Sequence, residues 1–497
     1  MTPDLIIIGS GMGGATLAAA LAPTGRRIVI LERGERLEHS PEARDDAAIF
    51  GRGHFRPDEM WLDAAGKPFN PGNYYHPGGN SKFYGAVLLR YRAEDFAPLR
   101  HMEGTTPGWP ISYADIERHY QAAEDLYQVR GSLRGDPSEP QHSGHYNFPP
   151  VPDEPAIADL RRRLKLQGLH PCDLPLGVDI ERWLAHGKTG WDAFPDTCGG
   201  KMDAETIGLT HALQHPNVTL LTGARVTRLL ATGDQITAVE FTRNGKPERL
   251  SAPVIALCTG AVITASLLLA SADEAHPTGL ANRSDQVGRN FMNHNLSAVL
   301  GIHPFRRNDG IYQKTIQMND WYLTGGPMGE PLGNMQMLGK ITGTMLASDT
   351  PIPKPLATWI AKHSVDVLAM SEDLPNPESR VLWRNGQITL DWRRSNWQAH
   401  LALVAKLKQA LRRAGFPIVL SRAFDKRTPS HQCGTARMGA DPATSVVDPF
   451  CRVHDHRNLF IVDASVLPTS AAVNPALTIA ALALRTADHI RQTEFAP

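Results

Sequence analysis

The stretch DLIIIGSGMGGATLAAALA, beginning at Asp4, constrains this chain more than any other. Leu5 to Ile8 form an apolar run short enough for one strand and apolar enough to be buried on both faces. The turn Gly9-x-Gly11-x-x-Gly14 follows, then an Ala/Leu-rich helix over 15–22. RRIVILERG supplies a second buried strand over 27–31, which ends at Glu32. The order strand, glycine turn, helix, strand and acid is that of a βαβ dinucleotide-binding unit. Gly9 permits the tight turn, Gly11 lets a pyrophosphate approach the backbone, and Gly14 lets helix and strand pack closely. The helix amides face the phosphates. Glu32 can accept hydrogen bonds from both hydroxyls of an adenosine ribose and would repel a 2′-phosphate. The motif alone does not separate NAD from FAD.

The second half of that domain is reached through β structure. Residues 217–258 read as several β-rich runs, with Asn244-Gly245 at a hairpin turn. A buried strand over 254–258 and the turn Thr259-Gly260-Ala261 follow. The surrounding stretch, PVIALCTGAVITASLLLAS (253–271), carries no charge and is just long enough to imitate a membrane span. Pro253 opens it and Thr259-Gly260 divides it, so strand, turn and buried helix are expected. Near the C terminus NLFIVDASVLP gives another buried strand ending in Asp463, an acid placed to bind a second set of hydroxyls.

Other features exclude function classes. A chain of 497 residues, 42% hydrophobic and 21% charged, buries a large core and divides into two or more domains. Lys+Arg and Asp+Glu both count 51, which argues against nucleic acid as the main partner. The five cysteines form no CxxC and no zinc pattern, which suits reduced thiols in a cytoplasmic protein. LIIIG is too short for a signal-peptide core and lacks a basic flank. No metal site is expected: His142 and His145 lack ligand-type companions. HQCGT (431–435) is compatible with three readings: His431 and Cys433 as a metal pair, a nucleophile with its base, or His431 as a base alone.

From end to end the chain resembles the glucose–methanol–choline family of FAD-dependent oxidoreductases. The segments that carry the likeness are the N-terminal motif, GGNSKFYGAVLLRYRAEDF (78–96), GWPISYADIERHYQAAEDLYQVRG (108–131), GLANRSDQVGRNFMNH (279–294) and the run from HQCGT to ALALR (431–485). The resemblance implies an α/β fold: a Rossmann-like FAD domain, discontinuous over 1–40, 75–130, 205–300 and 425–497, and a substrate domain of sheet plus helices over 131–204 and 301–424. Residues 41–74 connect them, and 132–153 form a loop or lid. In the substrate domain SVDVLAMSED and SRVLWRNGQITLDW read as strands, the latter turning at Asn385-Gly386, and 397–415 as a helix ending at Gly415.

The resemblance also assigns residues. FAD contacts are implied for Gly9, Gly11, Met12, Gly14 and Glu32, for Gly79, Asn80, Ser81 and Phe83 in the covering loop, and for Val226 at adenine. Gly260, Asp463, Ala464, Pro475 and Ala476 complete them. Some sugar-oxidising relatives carry a flavin-linked histidine where this chain has Phe83, so FAD is expected to be non-covalent. His431 is implied as the base that removes a hydroxyl proton while the carbon gives hydride to flavin N5. Asn474, also at the flavin, orients the substrate oxygen, although Asn-Pro is equally an N-cap followed by a first helical turn. Cys433 then only packs. The implied substrate is an alcohol, with a lean to sugars, glycosides or polyols, and the acceptor is oxygen, a quinone or a protein. Trp321, Tyr322 and Met337 can stack on a sugar or fill a core, the core reading being preferred. A flavin-containing binding protein without turnover and an NAD-dependent dehydrogenase are the alternatives.

Overall fold

A computed structural model describes residues 2–428 and 431–496. Leu5–Ile8, apolar on both faces, is the central strand of a five-stranded parallel sheet and is at most 2% exposed. It pairs with Val254–Leu257 on one side and Ile28–Leu31 on the other. Leu459–Ile461 and Val218–Leu221 complete the sheet. Four strands thus precede residue 258, and the fifth comes from the C-terminal segment.

Helix Met12–Leu21 packs against Ala476–Thr493, which packs in turn on Tyr113–Leu126. Close approach to two strand ends explains the glycine run. A Cβ on Gly14 would stand 2.1 Å from the Gly9 carbonyl oxygen, and one on Gly13 would stand 1.8 Å from that of Val462. The helix therefore touches its own strand through Gly14 and the C-terminal strand through Gly13. Strand, turn and helix also replace the apparent membrane span: Val254–Leu257 leads through Gly260 into the buried helix Ala261–Ala270. Among the described residues no helix is long and apolar enough to cross a membrane. Arg225–Thr232, Gln235–Arg243 and Lys246–Leu250 form the antiparallel meander, turning at Asn244 and Gly245 (φ 51° and 72°).

A second, six-stranded sheet runs Ile418–Ala423, Asn295–Ile302, Ser364–Ser371, Asn334–Met337, Ile316–Met318 and Cys172–Asp173. Its pairings are antiparallel. The boundary expected at 300 falls inside Asn295–Ile302, whose alternation continues unbroken across it. One face is sealed by helices Trp397–Arg413 and Pro155–Lys165 through Val299, Met335, Met337, Val367 and Leu403. The other face is turned toward the parallel sheet and a cavity.

Four expectations need correction. The Asn385-Gly386 hairpin, Arg380–Arg384 with Gln387–Asp391, does not join the six-stranded sheet. It pairs with Trp61–Asp63, which pairs in turn with Pro68–Phe69, and packs on helix Ala261–Ala270, because Val381 and Leu390 belong to the main core. Residues 41–74 are accordingly part of a sheet and not only a connection. The segment 132–153 is irregular, but none of its residues lines the cavity, so it is no lid over it. His142, moreover, does have acidic companions: Glu139 lies at 2.8 Å and Glu124 at 3.7 Å, in a cluster where Arg90 pairs with Glu124.

Candidate active site

A cavity of about 1510 Å³ runs between the two sheets, from Glu32 at one end to His431 and the six-stranded sheet at the other. Gly9, Gly11, Met12, Glu32, Gly79, Asn80, Ser81, Phe83, Val226, Gly260, Asp463, Ala464, Asn474, Pro475, Ala476 and His431 all line it. Gly14 does not; its place is under the helix. Trp321, Tyr322 and Met337 are also absent from the lining. Tyr322 is 2% exposed and donates to Asp95 (2.8 Å), and Met337 is in the core beneath the sheet.

At the nucleotide end the acid is held rigidly. Glu32 accepts from the Ser10 hydroxyl (2.6 Å) and amide (3.1 Å) and from the Gly34 amide (3.0 Å). Burial pushes its carboxyl up, and these donors oppose the shift. Ser10, unmarked in the glycine pattern, also accepts from the Gly78 amide (3.3 Å) and so ties the covering loop to the first turn. That loop is fixed from below: Ser81 accepts from the Ala204 amide (3.0 Å), and buried Lys82 pairs with Asp203 (3.2 Å) and Glu205 (2.7 Å). Phe83 is stacked on Tyr74 at 3.6 Å. Asp463 accepts from the Gly260 amide (2.9 Å) and from Thr264 (2.6 Å), another residue the motifs did not flag.

These residues fit FAD. A Cβ built on Gly11 would meet nothing within 4 Å, so the backbone there is open to a ligand. The helices starting at Met12 and Ala476 have no side-chain cap, and their free N–H groups suit anionic or carbonyl oxygens. Two buried acids, Glu32 and Asp463, offer acceptors to hydroxyls at separate points of one long cavity. At the position of the family's flavin-linked histidine, the phenyl ring of Phe83 has no nucleophilic atom.

At the other end His431 enters the cavity from a left-handed backbone (φ 71°), and nearby Ala471, buried in the core, is left-handed too (φ 54°). Each such residue costs of order 1–3 kcal/mol, strain that the surrounding packing holds in place. The strain sets a chain of bonds. His294 Nε2 lies 2.9 and 2.8 Å from the carbonyl oxygens of Ser470 and Ala471. Carbonyls only accept, so Nε2 carries the proton and Nδ1 is bare. His431 Nδ1, at 2.7 Å, must donate to it. The free lone pair of His431 is therefore on Nε2.

A second chain reaches the same nitrogen. The Asp136 carboxylate, paired with Arg92 (2.6 Å), accepts from Asn319 Nδ2 (2.6 Å). Asn319 then accepts from Asn334 (2.7 Å), and Asn334 from Gln336 (3.2 Å). Gln336 also donates to Asn474 Oδ1 (2.9 Å), which turns Asn474 Nδ2 toward His431 Nε2 (3.2 Å). Asn474 is thus not the helix cap; Pro475 occupies that position and no side chain caps the helix. The reason is geometric: the amide is already committed to Gln336 and His431. Burial, then His294 and Lys314, push the His431 imidazole well below its ordinary value, so it is neutral at neutral pH. Cys433 is 1% exposed in the core, and burial pushes its thiol well up, which suits neither a nucleophile nor a metal ligand.

Residues 4–284 match the FAD dependent oxidoreductase family, and residues 383–483 match GMC oxidoreductase. The chain is 30% identical to 6'''-hydroxyparomomycin C oxidase of Streptomyces lividus over 97% of its own length and 90% of that protein. It is 27% identical to 2-methyl-1,2-propanediol dehydrogenase of Mycolicibacterium austroafricanum, covering 98% and 95%. The crystal structure of pyridoxine 4-oxidase from Mesorbium loti superposes with a TM-score of 0.66 over 100% of both chains at 20% identity, a likeness of fold.

Proposed function

The chain belongs to the glucose–methanol–choline family of FAD-dependent oxidoreductases, which oxidise alcohol- and sugar-type hydroxyls, and from that premise we propose how its own residues do so. His431 Nε2 takes the proton of the substrate hydroxyl, which replaces the Asn474 N–H on that lone pair, and the Asn474 amide then donates to the same oxygen. FAD, when bound, supplies the acceptor for the hydride that leaves the carbinol carbon. The neutral imidazole is ready to accept a proton without first losing one. The fixed amide limits the oxygen to one position, and hence the C–H to one direction. After proton transfer His431 is cationic. The bare nitrogen of His294 holds the Nδ1–H of His431 in place, while the Ser470 and Ala471 carbonyls keep His294 from turning.

The observation that carries this reading is the convergence of two directional hydrogen-bond chains on one bare nitrogen at the cavity wall. His431→Ala tests it. The variant is expected to stay yellow with a full complement of FAD and to reduce its flavin about 10²–10⁴-fold more slowly in anaerobic mixing with substrate. Reduction at the wild-type rate in a folded, yellow variant excludes His431 as the base. Admitting air after bleaching then shows whether oxygen is the acceptor.

A further inference from the structure

Resting on that reading of the site, we propose that the substrate is an alcohol with a hydrophobic body, its hydroxyl at His431 and its apolar part laid along the inner face of the six-stranded sheet. Strand alternation builds that face. In Asn295–Ile302 the residues Leu296, Ala298 and Leu300 point into the cavity, while Ser297 and Val299 face the sealing helix, Ser297 bonding His400 at 2.8 Å. In Ser364–Ser371 the same alternation presents Leu368. Two helices add aliphatic side chains to the same lining: Leu346 comes from helix Gly343–Asp349, and Ile360, packed in one cluster with Ala298 and Leu300, from Lys354–Lys362.

One row across the sheet shows how polarity is graded. Gln336 pairs in register with Leu368, Leu368 with Ala298, and Ala298 with Arg422. Gln336 touches Asn474 and so marks the reacting end. Arg422, 45% exposed and ion-paired with Asp349 at 2.7 Å, marks the solvent end. Between them lie only aliphatic side chains. Three strand spacings of about 4.8 Å make the row roughly 14 Å long. A sugar has hydroxyls on several faces. Against this wall each hydroxyl left without a partner weakens binding about 5- to 150-fold. An alkyl or alicyclic body meets no such penalty and gains from each buried methylene.

The test is anaerobic flavin reduction of the FAD-loaded enzyme with two panels: straight-chain primary alcohols of increasing length plus alicyclic alcohols, and sugars, glycosides and polyols. The efficiency of reduction is expected to rise about 4-fold per added methylene, from the usual value of a buried CH₂, and to level off once the chain spans the row. Leu300→Ala is expected to lower efficiency about 10-fold or more for the longest alcohols while leaving the shortest unchanged. Leu338→Ser, a partly buried position in the same lining, gives the same contrast if the first variant folds poorly. Efficient reduction by sugars with a flat alcohol series overturns the hydrophobic assignment and leaves hydroxyl oxidation standing. No reduction by either panel overturns both.

Discussion

Replacing His294 by Phe separates the orientation of the base from its presence. His294 offers its bare Nδ1 to His431 Nδ1–H at 2.7 Å, and that bond alone selects the productive tautomer from the His294 side. A phenyl ring fills most of the same space at a position 2% exposed but accepts nothing. The stranded, buried N–H then costs about 1–3 kcal/mol. His431 avoids that cost by moving its proton to Nε2, where it can no longer receive one from substrate. At about 1.36 kcal/mol per decade, flavin reduction slows about 5- to 150-fold. His294→Asn returns a carbonyl oxygen to the neighbourhood of Nδ1 and is expected to recover part of the rate. The assay is single-turnover bleaching of the flavin in anaerobic stopped flow, with FAD content measured on the same samples. The tautomer argument fails if His294→Phe reduces its flavin within about two-fold of wild type, or if His294→Asn is the slower of the two.

Asn474→Asp is expected to slow reduction more than Asn474→Ala, because a carboxylate faces the His431 lone pair and repels a forming alkoxide; a rate equal to wild type would show that the amide N–H does not act. Base catalysis by His431 is lost as pH falls through its depressed pKa. Lys314 contributes to that depression and pairs with Asp192 at 2.8 Å. Lys314→Met removes the cation and leaves Asp192 uncompensated, so the His431 pKa rises and the acid limb of the reduction rate moves to higher pH. A limb that stays put or moves to lower pH refutes the coupling. FAD is expected in the supernatant after acid precipitation, since Phe83 offers no atom for a covalent link; colour retained in the pellet would point to attachment elsewhere.

The nucleotide end was legible in the sequence because its demands are local. A glycine turn, a buried strand and a terminal acid are contiguous, and hairpins at Asn244-Gly245 and Asn385-Gly386 declare themselves in two residues. The partner of the second hairpin was not legible. Its pairing with Trp61–Asp63 joins residues some 320 positions apart by shared burial in the core, and no local pattern encodes that. The reacting end was only half legible. His431, Asn474 and His294 stand in segments that carry a family likeness, but nothing in those segments marks His294 as the group that fixes the His431 proton, and Asn334 and Gln336 lie outside them. His294 sits inside an irregular stretch, and its role depends on two carbonyls near residue 470. Asn334 and Gln336 did leave a trace: polar residues alternating with Met335 and Met337 in a strand are unusual unless the polar face has something to bond. Asn-Pro before a helix also allowed a cap, the commonest use of that pair, and here a tertiary amide chain holds the Asn474 side chain instead.

The order of strands in the parallel sheet bears on how the protein is made. Leu459–Ile461 pairs with Val254–Leu257, about 200 residues earlier in the chain. While the ribosome is still at work, four strands can assemble behind it, but the sheet keeps an open edge and the cavity lacks Asp463, His431 and Asn474. Exposed pairing edges of that kind invite misassembly, and closing so long a loop is slow. Cofactor loading is therefore an event of the finished chain. FAD that reaches the nascent protein finds half a site, and the step that completes the active site is also the one that covers the open edge of Val254–Leu257 in the fold's central sheet.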